Sequence, residues 1–126
     1  MTNPHKGRTG LDRVAHAMRY SMDGMSAAWR GESAFRQEAL MALIMFPASL
    51  WLGRDWAEVS LLAGSVAMVL IVELLNSGLE SVVDRVSYEI HELSKRAKDF
   101  GSAAVFLSLL VCGLIWATAL YQRLCA

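Results

Sequence analysis

The chain has 126 residues, which is about one domain, and 55% of them are hydrophobic, where a soluble domain sits nearer roughly 45–50%. Its 12 basic and 12 acidic residues cancel, so no bulk electrostatic argument favours nucleic acid as a partner. No G-x-x-x-x-G-K-[ST] phosphate loop and no Cys/His metal spacing are present, which excludes the P-loop and zinc-module readings. The apolar residues are bunched into long runs, and that pattern belongs to a membrane protein rather than to a large soluble core.

Residues 1–10 are polar, and no apolar stretch with a small-residue cleavage site follows them, so no signal peptide is expected. Leu11, Val14, Ala15, Met18, Met22 and Met25 then recur at three- and four-residue spacing, while Arg13, His16, Arg19 and Tyr20 fall elsewhere on the surface. This predicts an amphipathic helix over about 9–30, lying in the membrane interface. A packed helix of a soluble domain would show the same period, but three apolar segments follow this one.

The first apolar segment, about 35–53, is uncharged from Ala39 to Gly53 and tolerates Pro47 as membrane helices do. The second, about 56–86, is uncharged from Val59 to Val72, then meets Glu73, yet its apolar pattern continues through Leu74, Leu75, Leu79, Val82 and Val83. It reads as one long helix that emerges into water. The third, about 99–122, carries no charge from Gly101 to Gln122, the roughly 20 residues that a spanning helix needs. Cys112 and Cys125 on that helix are about 20 Å apart along its axis, too far for an intrachain disulfide.

The basic residues orient the chain. Lys6, Arg8, Arg13, Arg19, Arg30 and Arg36 precede the first span or open it, and Arg85, Lys95, Arg96 and Lys98 lie between the second and third. The loop between the first two spans has Arg54 beside Asp55 and Glu58, and the C-terminal tail has Arg123. The N-terminus and second loop therefore face the cytoplasm. The first loop and the C-terminus face outward, the periplasm in a Gram-negative cell.

The second span carries a polar stripe. With Glu73 at zero on a wheel of 100° per residue, Asn76 falls at about 300°, Glu80 at about 340° and Asp84 at about 20°. An ionisable group within a span costs at least about 2.5–3.5 kcal/mol and usually faces protein or water for a function. Helix–helix glue through Asn76 is the bland alternative, but three carboxylates repel one another and suit a cation better. Glu32, in the stretch GESAFRQE just before the first span, is a second oxygen donor, so Glu32 and Glu80 are a candidate pair for a hard divalent cation. Lys98 and Asp99 open the third span, and His91 and Glu92 lie in the loop before it. That cluster reads equally as a solvated charge patch.

The stretches AAW (27–29), Glu32 with AFRQE (34–38), VELLN (72–76), Glu80 with VVDR (82–85), HELS (91–94) and RAKDFGS (96–102) resemble the prokaryotic diacylglycerol kinases from about Arg13 to Tyr121. The resemblance implies an all-α membrane protein of three transmembrane helices plus an N-terminal amphipathic interfacial helix, one domain over 1–126. It implies a homotrimer with composite active sites between subunits, in the bacterial inner membrane. It further implies transfer of the γ-phosphoryl group of MgATP to the primary hydroxyl of diacylglycerol, giving phosphatidic acid in phospholipid recycling. Carried over by motif, Glu73 is the general base, and Glu32 and Glu80 hold Mg2+. Arg13, Tyr20, Glu32, Glu80, Glu89, Ile90, His91, Lys98 and Asp99 contact the nucleotide. Arg13, Glu73, Ser102 and Trp116 lie on the lipid side, and Asn76 supports the site. Ile90 departs from the tyrosine familiar at that position, which keeps a backbone contact to the nucleotide and removes an aromatic one. Met22 replaces a familiar tryptophan.

Two other functions fit parts of the pattern. An undecaprenol or other lipid-alcohol kinase shares the carboxylate motifs. A small proton-coupled transporter also places a glutamate within the membrane, but the carboxylates here gather at one end of the span, which favours surface chemistry over a crossing path. A purely structural subunit leaves the stripe unexplained.

Overall fold

The computed structural model describes residues 9–86 and 91–125. Within them the chain is all-helical: α1 (Gly10–Gly31), α2 (Ser33–Leu52), α3 (Trp56–Val86) and α4 (Glu92–Cys125). α3 is the central element. It packs along both α2 and α4, while α1 rests against α2 and α3.

The joints between helices follow from local chemistry. Between α1 and α2 the chain breaks only at Glu32, whose extended backbone (φ −121°, ψ 107°) ends one helix and opens the next. Arg36 of α2 reaches back to the carbonyls of Trp29 (2.8 Å) and Arg30 (3.2 Å). Those carbonyls have no partner inside α1, so the guanidinium caps the helix and fixes the corner. Gly53 ends α2, where a Cβ would run into Val59 and sit 3.0 Å from the Ser49 carbonyl oxygen. Asp55 then accepts the Glu58 backbone N–H at 2.8 Å, an N-cap that starts α3. α4 starts at His91, whose Nδ1 accepts the Leu93 N–H at 3.0 Å.

The buried contacts are small. Ala42, Val66, Val69 and Cys112 form one cluster, and Leu52, Leu62 and Ala119 another. Small side chains let helix backbones approach, which is how helices pack where lipid is as apolar as leucine. Apart from Phe35, Leu52 and Leu62, many large apolar side chains point outward instead: Leu43, Leu75 and Leu114 are 72%, 70% and 69% exposed. A soluble fold would bury them.

α3 and α4 are long and apolar enough to cross a membrane, with best-window mean hydropathies of 2.0 and 2.3. α2 falls short of that test because Arg36, Gln37 and Glu38 occupy its first two turns. Residues 39–52 supply about 21 Å of rise against a hydrocarbon core of about 30 Å. α1 is different in kind. Ala28 is its buried residue, and the stripe of Leu11, Val14, Met18 and Met22 is exposed.

Candidate active site

Glu73 is the deepest polar group of the stripe. It is 5% exposed, although it sits on a helix whose other flank is apolar. Its neighbours in charge are Glu32, Glu38 and Glu80. α2 delivers Glu38 to the face of α3 that carries Glu73, and Glu32 arrives from the α1–α2 corner. Glu80 follows Glu73 by two helical turns, about 10 Å of rise. Asn76 stands between them and donates its Nδ2–H to Glu80 Oε1 at 3.4 Å.

Two polar atoms in this region are buried with no hydrogen-bond partner among the described residues: Glu38 Oε2 and Asn76 Oδ1. Buried acceptors without donors are costly, and they cluster where a ligand completes a site. Asn76 Oδ1 lies against Gly101 of α4, the one buried residue near the start of the apolar run of that helix. Among the described residues no group of three His, Cys, Asp or Glu side chains is gathered into a ready metal cage. The donors present are carboxylate oxygens, the kind magnesium takes one or two at a time while phosphate oxygens and water fill the rest. The set therefore fits that cation in company with a nucleotide better than it fits a metal held by protein alone.

α4 brings the basic side. Lys98 donates to Asp84 Oδ1 at 2.7 Å, and both ends of the pair stay about half exposed. The hydrogen bond to Asp84 holds the Lys98 ammonium above its ordinary range. Asp99, one residue on, is engaged by Lys95 at 2.7 Å, and that bond raises Lys95 in the same way. A groove of about 540 Å³ separates α1 from α3, with Ser21, Gly24, Glu32, Ser77 and Gly78 among its lining residues. Small residues on both walls leave room, and Glu32 sits at its edge.

The remaining sequence-derived positions distribute around this centre. Arg13 and Tyr20 are seven residues apart on α1, so they share one face to within about 20°, and the Tyr20 ring lies 6.4 Å from that of His16. Ser102 is exposed at the membrane end of the Lys98 turn. His91 is committed through Nδ1 to capping α4. Glu89 and Ile90 lie outside the described residues. Trp116 is not brought to the carboxylates. Its indole N–H points at α3, 3.2 Å from both the Leu62 carbonyl and Ser65 Oγ, and Ser65 precedes Glu73 by about 12 Å of rise. Sequence reasoning gave no role to Glu38. Its signal was its place in the AFRQE stretch, six residues after Glu32.

The sequence model of the prokaryotic diacylglycerol kinases matches residues 19–120. The chain belongs to this family. As a prokaryotic diacylglycerol kinase homologue it is 49% identical to the diacylglycerol kinase of Pseudomonas aeruginosa over 94% of this chain and 96% of that one. It is 47% identical to the diacylglycerol kinase of Escherichia coli K12 over 91% and 94%. To that of Haemophilus influenzae it is 44% identical over 90% and 96%. Matches that span more than nine-tenths of both chains support a kinase of the bacterial membrane.

Proposed function

We propose that the protein phosphorylates diacylglycerol with ATP at the cytoplasmic face of the inner membrane, producing phosphatidic acid. The observation that carries the reading is the convergence of Glu32, Glu38 and Glu80 on the buried Glu73, with the Lys98 turn of α4 alongside. A lipid alcohol reaches Glu73 from the bilayer, and a soluble nucleotide reaches Lys98 from water. The depth difference along α3 separates the two substrates and leaves their reacting groups adjacent.

Phosphoryl transfer asks for positioning and charge neutralisation more than for covalent chemistry. Glu73 accepts the proton of the primary hydroxyl as its oxygen bonds to the γ-phosphorus. The bond from that phosphorus to the β–γ bridging oxygen breaks, and ADP leaves with the electron pair. Lys98 and Arg13 bind phosphate oxygens as ammonium and guanidinium. Glu32 and Glu80 are the residues that would hold magnesium, which would supply charge neutralisation at the phosphates. Asn76 orients Glu80. Tyr20, Glu89, the Ile90 backbone, His91 and Asp99 complete the nucleotide side, and Ser102 the lipid side, while Trp116 holds the α3–α4 seam farther along the span.

The architecture proposed for this chemistry is one domain with α1 in the interface and α2, α3 and α4 as three spans. The exposed apolar stripe of α1 supports the first part. Pro47 and the apolar surface of α2 all round after Glu38 support its insertion. Basic residues place the N-terminus and second loop in the cytoplasm and the C-terminus in the periplasm. Three copies assemble with composite sites. The subunit buries Glu73 by itself, so support for the assembly comes from Glu80 and Asp84, which a single chain leaves partly open.

The deciding experiment is phosphorylation by purified protein with MgATP and a panel of diacylglycerol, monoacylglycerol and undecaprenol. Rapid label transfer to diacylglycerol is expected. Preference for undecaprenol assigns the other lipid-alcohol kinase activity. ATP consumption independent of any lipid overturns the reading.

A further inference from the structure

At the opposite end of α3 stands a second polar group that the kinase chemistry does not use. Glu58 precedes Glu80 by 22 residues, about 33 Å of rise, so it lies in the other leaflet. Its Oε2 accepts Arg54 Nε at 3.1 Å, and Arg54 Nη2 donates to Gln122 Oε1 of α4 at 2.6 Å. Glu58 Oε1 is buried and has no hydrogen-bond partner among the described residues. Arg54 thus partners one oxygen of the carboxylate and leaves the other without a donor among the described residues.

Glu58 forms the polar end of a groove between α3 and α4, of about 300 Å³. From Glu58 the walls run through Leu61 and Leu62 on α3, and from Gln122 through Ile115 and Leu114 on α4. The groove is thus charged at the membrane surface and apolar toward the bilayer centre. A soluble cation satisfies Glu58 and wastes the leucine walls. A hydrocarbon chain fills the walls and leaves the second oxygen of Glu58 without a donor. An amphiphile with a cationic end matches both. Arg54 adds the second requirement: it borders the groove through its bonds to Glu58 and Gln122, its side chain is half exposed, and a guanidinium suits a phosphate.

We propose that this groove binds one zwitterionic aminophospholipid per subunit, with its ammonium on Glu58, its phosphate on Arg54 and one acyl chain along Leu61 and Leu114. The site is separate from the proposed kinase centre and does not depend on that assignment. Phosphatidylglycerol offers the same phosphate and acyl chains but only hydroxyls in place of the ammonium, so it is the discriminating control.

The test is native mass spectrometry of the full chain in detergent micelles, with phosphatidylethanolamine and phosphatidylglycerol of matched chains in competition. Wild type is expected to retain phosphatidylethanolamine about tenfold more strongly, the worth of a hydrogen bond to a charged group. Glu58→Gln is expected to erase that preference, and Arg54→Gln to weaken retention of both lipids. Equal retention of the two lipids by wild type overturns the proposal, as does an undiminished preference in Glu58→Gln. Leu114→Trp, which fills the groove with an apolar ring, is expected to expel the lipid and keep the oligomer mass. Loss of the oligomer in that variant makes the groove a contact between copies of the chain and overturns the lipid assignment.

Discussion

Gly101 of α4 packs directly on the amide of Asn76 in α3. A Cβ on Gly101 would overlap Asn76 Oδ1 and stand 3.3 Å from Leu79 Cδ2. The missing side chain is therefore what lets the cytoplasmic end of α4, with Lys98, close on the carboxylate stripe. Gly101→Ala is expected to cost about 1–3 kcal/mol of overpacking and to lower turnover by moving Asn76 off Glu80. The double variant Gly101→Ala/Asn76→Ala removes the collision. It should recover thermal stability in detergent without recovering wild-type activity. Full activity in the single variant would show that the notch has no bearing on Glu80.

Glu32 comes from the α1–α2 joint and Glu80 from α3, and neither lies in the packed core. Glu32→Gln and Glu80→Gln are each expected to raise the magnesium concentration for half-maximal activity by roughly 10–100-fold, with the assembled protein intact by size-exclusion chromatography. Titration of activity with magnesium at saturating ATP measures this. An unchanged magnesium requirement in either variant removes that residue from the metal site.

Much of this was legible in one dimension. The helices follow from apolar runs and their punctuation, Gly53 and Asp55 marking the α2–α3 joint and residue spacing placing Glu73, Asn76 and Glu80 on one face. Glu38 was not legible as a neighbour of Glu73, because a helical wheel describes one helix and the meeting depends on how α2 packs on α3. Trp116 is ambiguous for a related reason. An indole suits lipid or a helix seam equally, and only the positions of Leu62 and Ser65 decide where its N–H goes. The start of α4 also escaped the apolar run, which marks the membrane part and is silent on the turns before it. His91 capping sets that start.

Lys98 has a pH signature of known sign. Its hydrogen bond to Asp84 raises its ammonium above the ordinary value of 10.5. The pair is therefore fully formed below that value and is lost as pH rises through the raised one. On account of this group, ATP affinity is expected to hold flat through neutral pH and to fall only above pH 10.5. In the proposed site Asp84 holds the ammonium that would bind phosphate, so Asp84→Asn is expected to lower KM for ATP. Lys98→Met should raise it by about tenfold or more, the loss of a charge-assisted contact. KM unchanged in Lys98→Met would take Lys98 out of the nucleotide site.

Glu38 presents beside Glu73 a buried oxygen, Oε2, that has no hydrogen-bond partner among the described residues. Glu38→Gln keeps the shape and removes the charge. If Glu38 sets the environment of the base, kcat falls by about tenfold or more while KM for ATP stays within about twofold, the pattern of an interaction made in the transition state. Steady-state kinetics at saturating lipid checks this. A fall in thermal stability with kcat preserved would instead make Glu38 a packing residue of the α2–α3 seam.

Glu73 carries the strongest prediction. A positioned general base is worth roughly 10²–10⁴-fold in rate, so Glu73→Gln is expected to abolish measurable turnover while nucleotide affinity and oligomer size stay as in wild type. Depth is the reason to expect that split. Glu73 is buried at 5% exposure, and about 10 Å of rise separates it from Glu80, so a bilayer lipid reaches it more readily than a soluble nucleotide does. Were Glu73 only a strut between helices, the same substitution would unfold or disassemble the protein, and ATP binding would go with it. Turnover, ATP affinity and mass measured on one preparation separate the two cases. A folded, assembled Glu73→Gln protein that turns over near the wild-type rate would leave the hydroxyl proton to another group, and Glu38, the neighbouring carboxylate from α2, would be the first to test.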